Sequence, residues 1–150
     1  GFGYVMDHFK GERLVISAFA LGVMDCLWEE ARRYAAERSI FGQPLGKFQA
    51  WRHRLADVRA TIEAARQLTY WACDRLNQNA PDASEAVSMA KLFTSESVKR
   101  VANEVFQLHG GYGYIEEYPV CRLYRDVAGF TIGAGTSEVM REIIAREEQL

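Results

Sequence analysis

The sequence predicts an all-α up-down bundle of four main helices with one short extra helix. Three long stretches repeat apolar residues at helical spacing, and no stretch of useful length alternates apolar with polar residues as a strand would. Glycine, proline and asparagine stand between these stretches and mark the turns. Apolar residues form 49% of the 150 residues, which suffices for the core of a single domain.

The first two helices are the longest predicted elements. The first spans residues 11–38 and carries Leu14, Leu21 and Met24 at helical spacing, until Gly42 and Pro44 break the pattern. The second spans residues 48–79, and at 1.5 Å rise per residue it reaches about 45 Å. Its core stripe consists of Leu55, Val58, Ile62, Ala65, Leu68 and Ala72.

The second half of the chain holds the remaining elements. Asp82 and Glu85 are predicted to form an N-cap pair that opens the third helix, which runs to His109. After Gly110 and Gly111 come a Gly- and Tyr-rich loop, a short helix over residues 120–127 and a second Gly-rich loop over residues 129–135. Thr136 or Ser137 then caps the last helix.

Composition excludes several classes of function. A net charge of −2 and a pI near 6.0 argue against nucleic acid as a partner. The longest apolar run is too short to span a membrane. The three cysteines lack metal or CxxC spacing and are interpreted as buried thiols in a reducing compartment, with disulfides as the alternative; they are Cys26, Cys73 and Cys121. The histidines show no metal spacing, so no metal site is predicted.

Two glycine-rich segments superficially suggest nucleotide binding. The segment from Gly110 to Gly113 follows a helix rather than a strand, and no helix opens directly after it, so the Rossmann interpretation fails. No lysine precedes Thr136, so this threonine does not belong to a P-loop. Taken alone, the glycines indicate chain reversal more than ligand contact.

Two further segments carry chemistry when they are considered together: Lys10-Gly11-Glu12-Arg13, and residues 132–138 with the sequence IGAGTSE. Each resembles a motif of the acyl-CoA dehydrogenases, flavin enzymes that desaturate acyl-CoA thioesters. Many members place the catalytic Glu in the second motif, where this chain has Ala134. Another branch, with the isovaleryl- and long-chain-type enzymes, places it on a helix before an Arg, where this chain has Glu12. From position alone, Glu12 would be an acid favoured by the helix dipole.

The resemblance also implies cofactor contacts. Residues 38–49 are similar to the family segment Arg-x-x-Phe-Gly followed by Gln, and residues 107–111 to its Gln-x-x-Gly-Gly, which reaches the FAD of the neighbouring subunit. Without the resemblance, Arg38 would be a solvated helix end and Phe41 a core anchor. The cofactor-binding residues implied are Arg38, Phe41, Phe48, Gln49, Gln107, Gly110, Gly111, Thr136, Ser137 and Glu138.

The implied reaction is α,β-desaturation of an acyl-CoA. Glu12 takes the proton from Cα, a hydride passes to N5 of FAD, and a backbone N–H at Ala134 polarises the thioester carbonyl. Arg13, Ala134 and Gly135 are the implied substrate-binding residues, with Arg13 ordering the loop. Gly133 stands where many members have Tyr, which predicts a branched or bulky acyl group. Two alternatives remain: a flavin oxidase or monooxygenase of the same fold, and a non-catalytic helical interaction module.

The resemblance covers residues 1–150 but only the C-terminal helical domain of the family. The N-terminal helical and middle β domains are absent from this chain, and Gly1 is not a natural start, so a fragment is expected. Implied partners are an electron-transfer flavoprotein or similar acceptor and further copies in a homodimer or homotetramer. The expected compartment is a bacterial cytoplasm or the mitochondrial matrix, with the former favoured.

The chain alone is expected to bind FAD weakly and not to turn over, because two domains that complete the site are missing. Absorbance of the purified chain near 450 nm would measure this; a stoichiometrically yellow sample would contradict it.

Overall fold

Five α-helices build the chain, and the fold class predicted from the sequence is confirmed. The computed structural model describes the backbone of residues 2–150 and the side chains of residues 9–150. The α-helices are α1 (Phe2–Glu37), α2 (Gln49–Asn77), α3 (Ala83–His109), α4 (Pro119–Asp126) and α5 (Ser137–Glu147). Short 3-10 turns occupy Leu45–Lys47, Gly110–Tyr114 and Val127–Thr131.

Helix α3 is the central element of the bundle. It packs against α1, α2 and α5, and apolar side chains from α1, α2 and α3 form the main core. Burial of apolar surface of this kind supplies most of the favourable free energy of folding, at about 25 cal/mol per Å². The fully buried members include Met24, Leu27, Ile62, Ala65, Val98 and Ala102.

Helix α1 begins earlier than the sequence pattern predicts. It starts at Phe2, nine residues before the predicted start at Gly11. A glycine inside a helix costs about 1 kcal/mol relative to alanine but does not end it, and no proline stands in this stretch. The side chains of residues 2–8 lie outside the described part of the chain.

A two-residue β-ladder follows α1, although no strand is predicted there. β1 (Ser39–Ile40) pairs antiparallel with β2 (Gln43–Pro44), and Ile40 stands opposite Gln43. The turn residues Phe41 and Gly42 have φ values of 49° and 81°, as a tight two-residue hairpin requires. The hairpin leaves the Phe41 side chain at its tip, 94% exposed.

The predicted N-cap pair of α3 does not form. Asp82 occupies the N-cap position, but its carboxylate makes no capping hydrogen bond and instead accepts one from Nε of Arg75 at 2.7 Å. A charged donor makes the stronger hydrogen bond, so it outcompetes the backbone N–H groups. Thr136 does cap α5, accepting from the backbone N–H of Val139 at 3.4 Å.

The prediction of three buried thiols is wrong for two of them. Cys121 is buried, Cys73 is half-buried and Cys26 is exposed, because its position on α1 lies outside the core stripe. All three thiols are free. Burial raises the pKa of Cys73.

Two carboxyl groups meet where α3 and α5 pack. A hydrogen bond to the Glu148 carboxyl, then burial, then neighbouring negative charge raise the pKa of Glu85. One Glu85 oxygen, Oε1, is buried with no partner among the described residues. The protonated form of Glu85 is therefore favoured in the folded state, and its contribution to stability is lost as pH rises through the raised pKa.

Glu85→Gln should accordingly raise Tm more at about pH 7 than at about pH 4, because the amide carries no proton to lose as pH rises. Thermal denaturation followed by circular dichroism at both pH values measures this. Glu142→Gln, at an exposed position of α5, is the matched control. An equal gain at both pH values would contradict the raised pKa of Glu85.

Candidate functional site

The two segments singled out in the sequence meet in the structure. Arg13 is only 5% exposed, and its Nε donates a hydrogen bond of 3.3 Å to the carbonyl oxygen of Ala134. Glu12, the preceding residue on α1, is exposed. Arg13, the residue after the proposed base Glu12, therefore connects helix α1 to the loop 133–135.

Residues 133–135 have an uncommon backbone conformation. Ala134 has φ 54° and Gly135 has φ 107°, so two consecutive residues occupy the left-handed half of the map. An L-residue such as alanine pays roughly 1–2 kcal/mol there. Within the described part of the chain, the backbone N–H groups of Ala134 and Gly135 have no hydrogen-bond acceptor. Two donors are thus available to a ligand oxygen.

Lys91 is the residue that the sequence analysis missed. It lies on α3 with 0% exposure, and its Nζ donates a hydrogen bond to the carbonyl oxygen of Gly135. Burial lowers the pKa of Lys91, as does the nearby charge of Arg13, while Glu138 opposes this. Burial also lowers the pKa of Arg13. Two desolvated cationic side chains therefore hold two successive carbonyls of this loop.

The start of α5 forms a second part of the site. Ser137 is buried, and its Oγ has no hydrogen-bond partner among the described residues. Glu138 is exposed, and its own backbone N–H, followed by the Thr136 hydroxyl, lowers the pKa of its carboxyl. Thr136, Ser137 and Glu138 line one wall of a groove whose other walls include Leu92, Phe93 and Ile132. An unpartnered buried hydroxyl suits a ligand with an acceptor oxygen.

Arg38 and the glycine pair line a different groove. This groove is formed by residues around Tyr34, Arg38, Gly110 and Gly111, and it shares no lining residue with the groove at α5. Arg38 is exposed and lies over the Tyr112 ring, with 5.6 Å from Cζ to the ring centroid. A Cβ added at Gly110 or Gly111 would meet no atom within 4 Å, so a ligand can approach the backbone there.

The remaining predicted cofactor residues lie near the hairpin or at the end of α3. Gln49 and Gln107 are exposed, while Phe48 is half-buried and packs against the main core. Phe48 therefore has a structural contact besides any role in binding. Phe41, at the exposed hairpin tip, is not a core anchor.

His109 is buried beside the groove that Arg38, Gly110 and Gly111 line. Its Nδ1 lies 2.8 Å from the carbonyl oxygen of Val105, which can only accept, so Nδ1 carries the proton. Its ring stacks on Tyr34 at 4.0 Å between centroids, and burial lowers its pKa. His109 thus supports the groove from inside.

The described residues contain neither a candidate metal site nor a membrane-spanning helix. They include no group of three or more His, Cys, Asp or Glu side chains that could hold a metal ion. None of the helices is long and apolar enough to cross a membrane.

The fold is shared with parts of larger solved proteins. It superposes on acyl-CoA dehydrogenase from Geobacillus kaustophilus with a TM-score of 0.96 at 38% identity, covering 100% of this chain and 39% of that one. It superposes on PigA, solved with FAD and proline, with a TM-score of 0.91 at 30% identity over 95% of this chain and 37% of PigA. The described helices therefore have the same architecture as the matching part of these two proteins.

Sequence comparison specifies the family. Residues 1–148 match the model of the acyl-CoA dehydrogenase C-terminal domain. The chain is 42% identical over 147 residues to a probable acyl-CoA dehydrogenase, YngJ, of Bacillus subtilis, covering 98% of this chain and 38% of that protein. The chain belongs to the acyl-CoA dehydrogenase family and corresponds to its C-terminal domain. It spans little more than a third of the length of this relative.

Proposed function

We propose that the chain is the C-terminal domain of an FAD-dependent acyl-CoA dehydrogenase that desaturates an acyl-CoA between Cα and Cβ. The observation that carries this proposal is the junction of Glu12 with the loop 133–135. An exposed carboxylate stands next to Arg13, whose buried guanidinium binds the Ala134 carbonyl. This hydrogen bond connects the helix that carries the proton acceptor, Glu12, to the loop that carries the two available N–H donors, those of Ala134 and Gly135.

In this reaction Glu12 removes the proton from Cα of the thioester. The negative charge that develops on the thioester oxygen is stabilised by the N–H of Ala134, which is fixed before the substrate arrives. Ala134 has no side-chain acceptor, so the methyl group does no chemistry. FAD, when bound, supplies the two-electron acceptor for the hydride that leaves Cβ.

The residues present fit FAD in two separate places. The unpartnered Ser137 hydroxyl and the N-terminus of α5 suit phosphate or hydroxyl oxygens, and the exposed Arg38 guanidinium suits a pyrophosphate. Because the two sets line grooves without a common residue, we propose that one FAD contacts the α5 groove of one copy and the Arg38 groove of another. A homodimer or homotetramer follows from this arrangement.

The proposed partners of the complete enzyme are an acyl-CoA substrate and an electron-transfer flavoprotein or similar acceptor. The free cysteines agree with a reducing compartment, and we propose a bacterial cytoplasm in preference to the mitochondrial matrix.

Anaerobic mixing of the complete FAD-loaded enzyme with branched, long and short acyl-CoAs tests the proposal. We expect the flavin absorbance to bleach within one turnover and to recover with an electron-transfer flavoprotein. No bleaching with any acyl-CoA would overturn the dehydrogenase assignment.

The similarity to PigA, solved with FAD and proline, favours a second candidate: a flavin oxidase or monooxygenase of the same fold. Rapid reoxidation of the reduced enzyme by O₂ would support that candidate. A slow reaction with O₂ and a fast one with the electron-transfer flavoprotein would support the dehydrogenase.

Gly133→Tyr should shift acyl preference toward straight chains. A Cβ at Gly133 would lie 3.5 Å from the Gly129 carbonyl oxygen and 3.8 Å from Cδ1 of Ile16, which are ordinary contacts, so the variant should fold. The added ring would occupy space beside the acyl chain, and we expect kcat/KM for a branched acyl-CoA to fall by about 10- to 200-fold relative to a straight one. Gly133→Ala, which adds only the methyl group, is the control. An unchanged ratio in Gly133→Tyr would contradict this.

A further inference from the structure

Among residues 9–150, Lys91 is the largest side chain that the fold buries completely. It lies on α3, and among the described residues its ammonium group has one hydrogen-bond acceptor, the Gly135 carbonyl oxygen. An ammonium group offers three donors and loses its hydration when buried. Burial of a Lys side chain here therefore costs more free energy than burial of an apolar side chain of similar size.

A hydrophobic side chain of similar volume would avoid that cost. Replacement of buried charges by apolar residues is often neutral or even stabilising. Stability alone therefore does not account for Lys91, and its one hydrogen bond within the described part of the chain is to the loop.

The contact fixes the direction of a peptide group. Arg13 binds the Ala134 carbonyl from α1, and Lys91 binds the next carbonyl from α3. Since the C=O and N–H of one peptide point in opposite directions, the two contacts turn the Gly135 and Thr136 N–H groups away from the cations. They also hold Ala134 at φ 54°, a strained conformation that an L-residue keeps only where its surroundings impose it.

We infer that Lys91 is a positioning residue: it fixes the Gly135–Thr136 peptide and, with Arg13 on the preceding carbonyl, keeps the loop 133–135 in the conformation in which the Ala134 N–H meets the thioester oxygen of an acyl-CoA. This inference rests on the proposed function, because the oxygen to be stabilised is that of the proposed substrate. Lys91 acts through the loop and does not itself touch the substrate.

Lys91→Met in the complete FAD-loaded enzyme tests the inference, since Met has similar length and no donor. We expect kcat to fall about 10- to 100-fold with little change in KM or Tm, because displacement of a fixed donor costs rate more than binding. Val98→Ala, fully buried two turns along the same helix, is the control for lost packing and should leave kcat nearly unchanged.

A spectroscopic measurement separates positioning from packing. In a Glu12→Gln background the bound acyl-CoA stays unreacted, and infrared difference spectra with a ¹³C-labelled thioester carbonyl report its hydrogen bonding. Butyryl-CoA and 3-methylbutyryl-CoA serve as probes. Adding Lys91→Met should move the carbonyl band to higher frequency, toward that of the free thioester in an apolar solvent.

An unchanged band with an inactive Glu12→Gln parent would overturn the role of Lys91 and leave the proposed function standing. Full turnover in Glu12→Gln would overturn the proposed function, and the inference with it. An equal fall in kcat in Val98→Ala would also overturn the inference, because lost packing would then account for both variants. If Lys91→Met does not fold, Lys91→Gln, which keeps a shorter N–H donor without the charge, is judged by the same band.

Discussion

Glu12→Gln should lower the rate of flavin reduction by an acyl-CoA by about 10²- to 10⁴-fold, the usual contribution of a general base. The amide keeps the size of the side chain but cannot accept the Cα proton, so substrate binding should persist. Anaerobic stopped-flow absorbance of the complete enzyme measures the reduction, and a titration of the flavin spectrum measures the binding.

The matched control is Glu29→Gln. Glu29 is an exposed acid of the same helix that pairs with Arg32, and its loss should leave reduction unchanged. Equal bleaching by Glu12→Gln and the wild type would place the base elsewhere. A second variant then becomes informative: Glu12→Gln with Ala134→Glu returns a carboxylate to the loop position used by other members, and partial recovery would show that the site accepts a base from either side.

Gly135→Ala should reduce both stability and rate. At φ 107° an alanine is strained, and its Cβ would lie 2.9 Å from Cε of Met140, a flexible group that can shift. The backbone strain remains, so we expect the free energy of unfolding to fall by about 1–3 kcal/mol. The rotation that relieves the strain would also turn the carbonyl away from Lys91, so kcat should fall as well.

Urea denaturation and steady-state kinetics of the complete enzyme measure the two effects. Gly129→Ala is the control, because a Cβ at Gly129 meets nothing within 4 Å and no positive φ is required there. Wild-type stability in Gly135→Ala would show that the loop adopts another conformation at no cost.

The fold could be predicted because its causes are local. Helical periodicity and turn residues specify the elements, and errors arise where two local effects compete. Gly11 is a weak helix former inside a stretch that continues helical, so the start of α1 was placed too late. Asp82 has the chemistry of a cap, but Arg75, seven residues earlier in sequence, reaches it once the chain turns.

The site could be predicted only in part. Family motifs indicated the residues, including the relation between Arg13 and the loop of Ala134, but not which groove each residue lines. Lys91 was missed because lysines on helices are usually exposed. A signal was nevertheless present: Lys91 lies four residues after Val87 and seven before Val98, within the apolar stripe of α3. A charged residue inside such a stripe predicts a buried hydrogen-bond partner, but the sequence alone does not identify that partner.

The two separate grooves have a thermodynamic consequence for the proposed oligomer. If each FAD spans two copies, cofactor affinity and subunit affinity are linked, and each raises the other by the same factor. Dilution that separates the subunits would then release FAD, and excess FAD would oppose dissociation by mass action. At a fixed concentration of free FAD, the enzyme's flavin content would therefore rise with protein concentration, whereas the occupancy of a site within one subunit would stay constant.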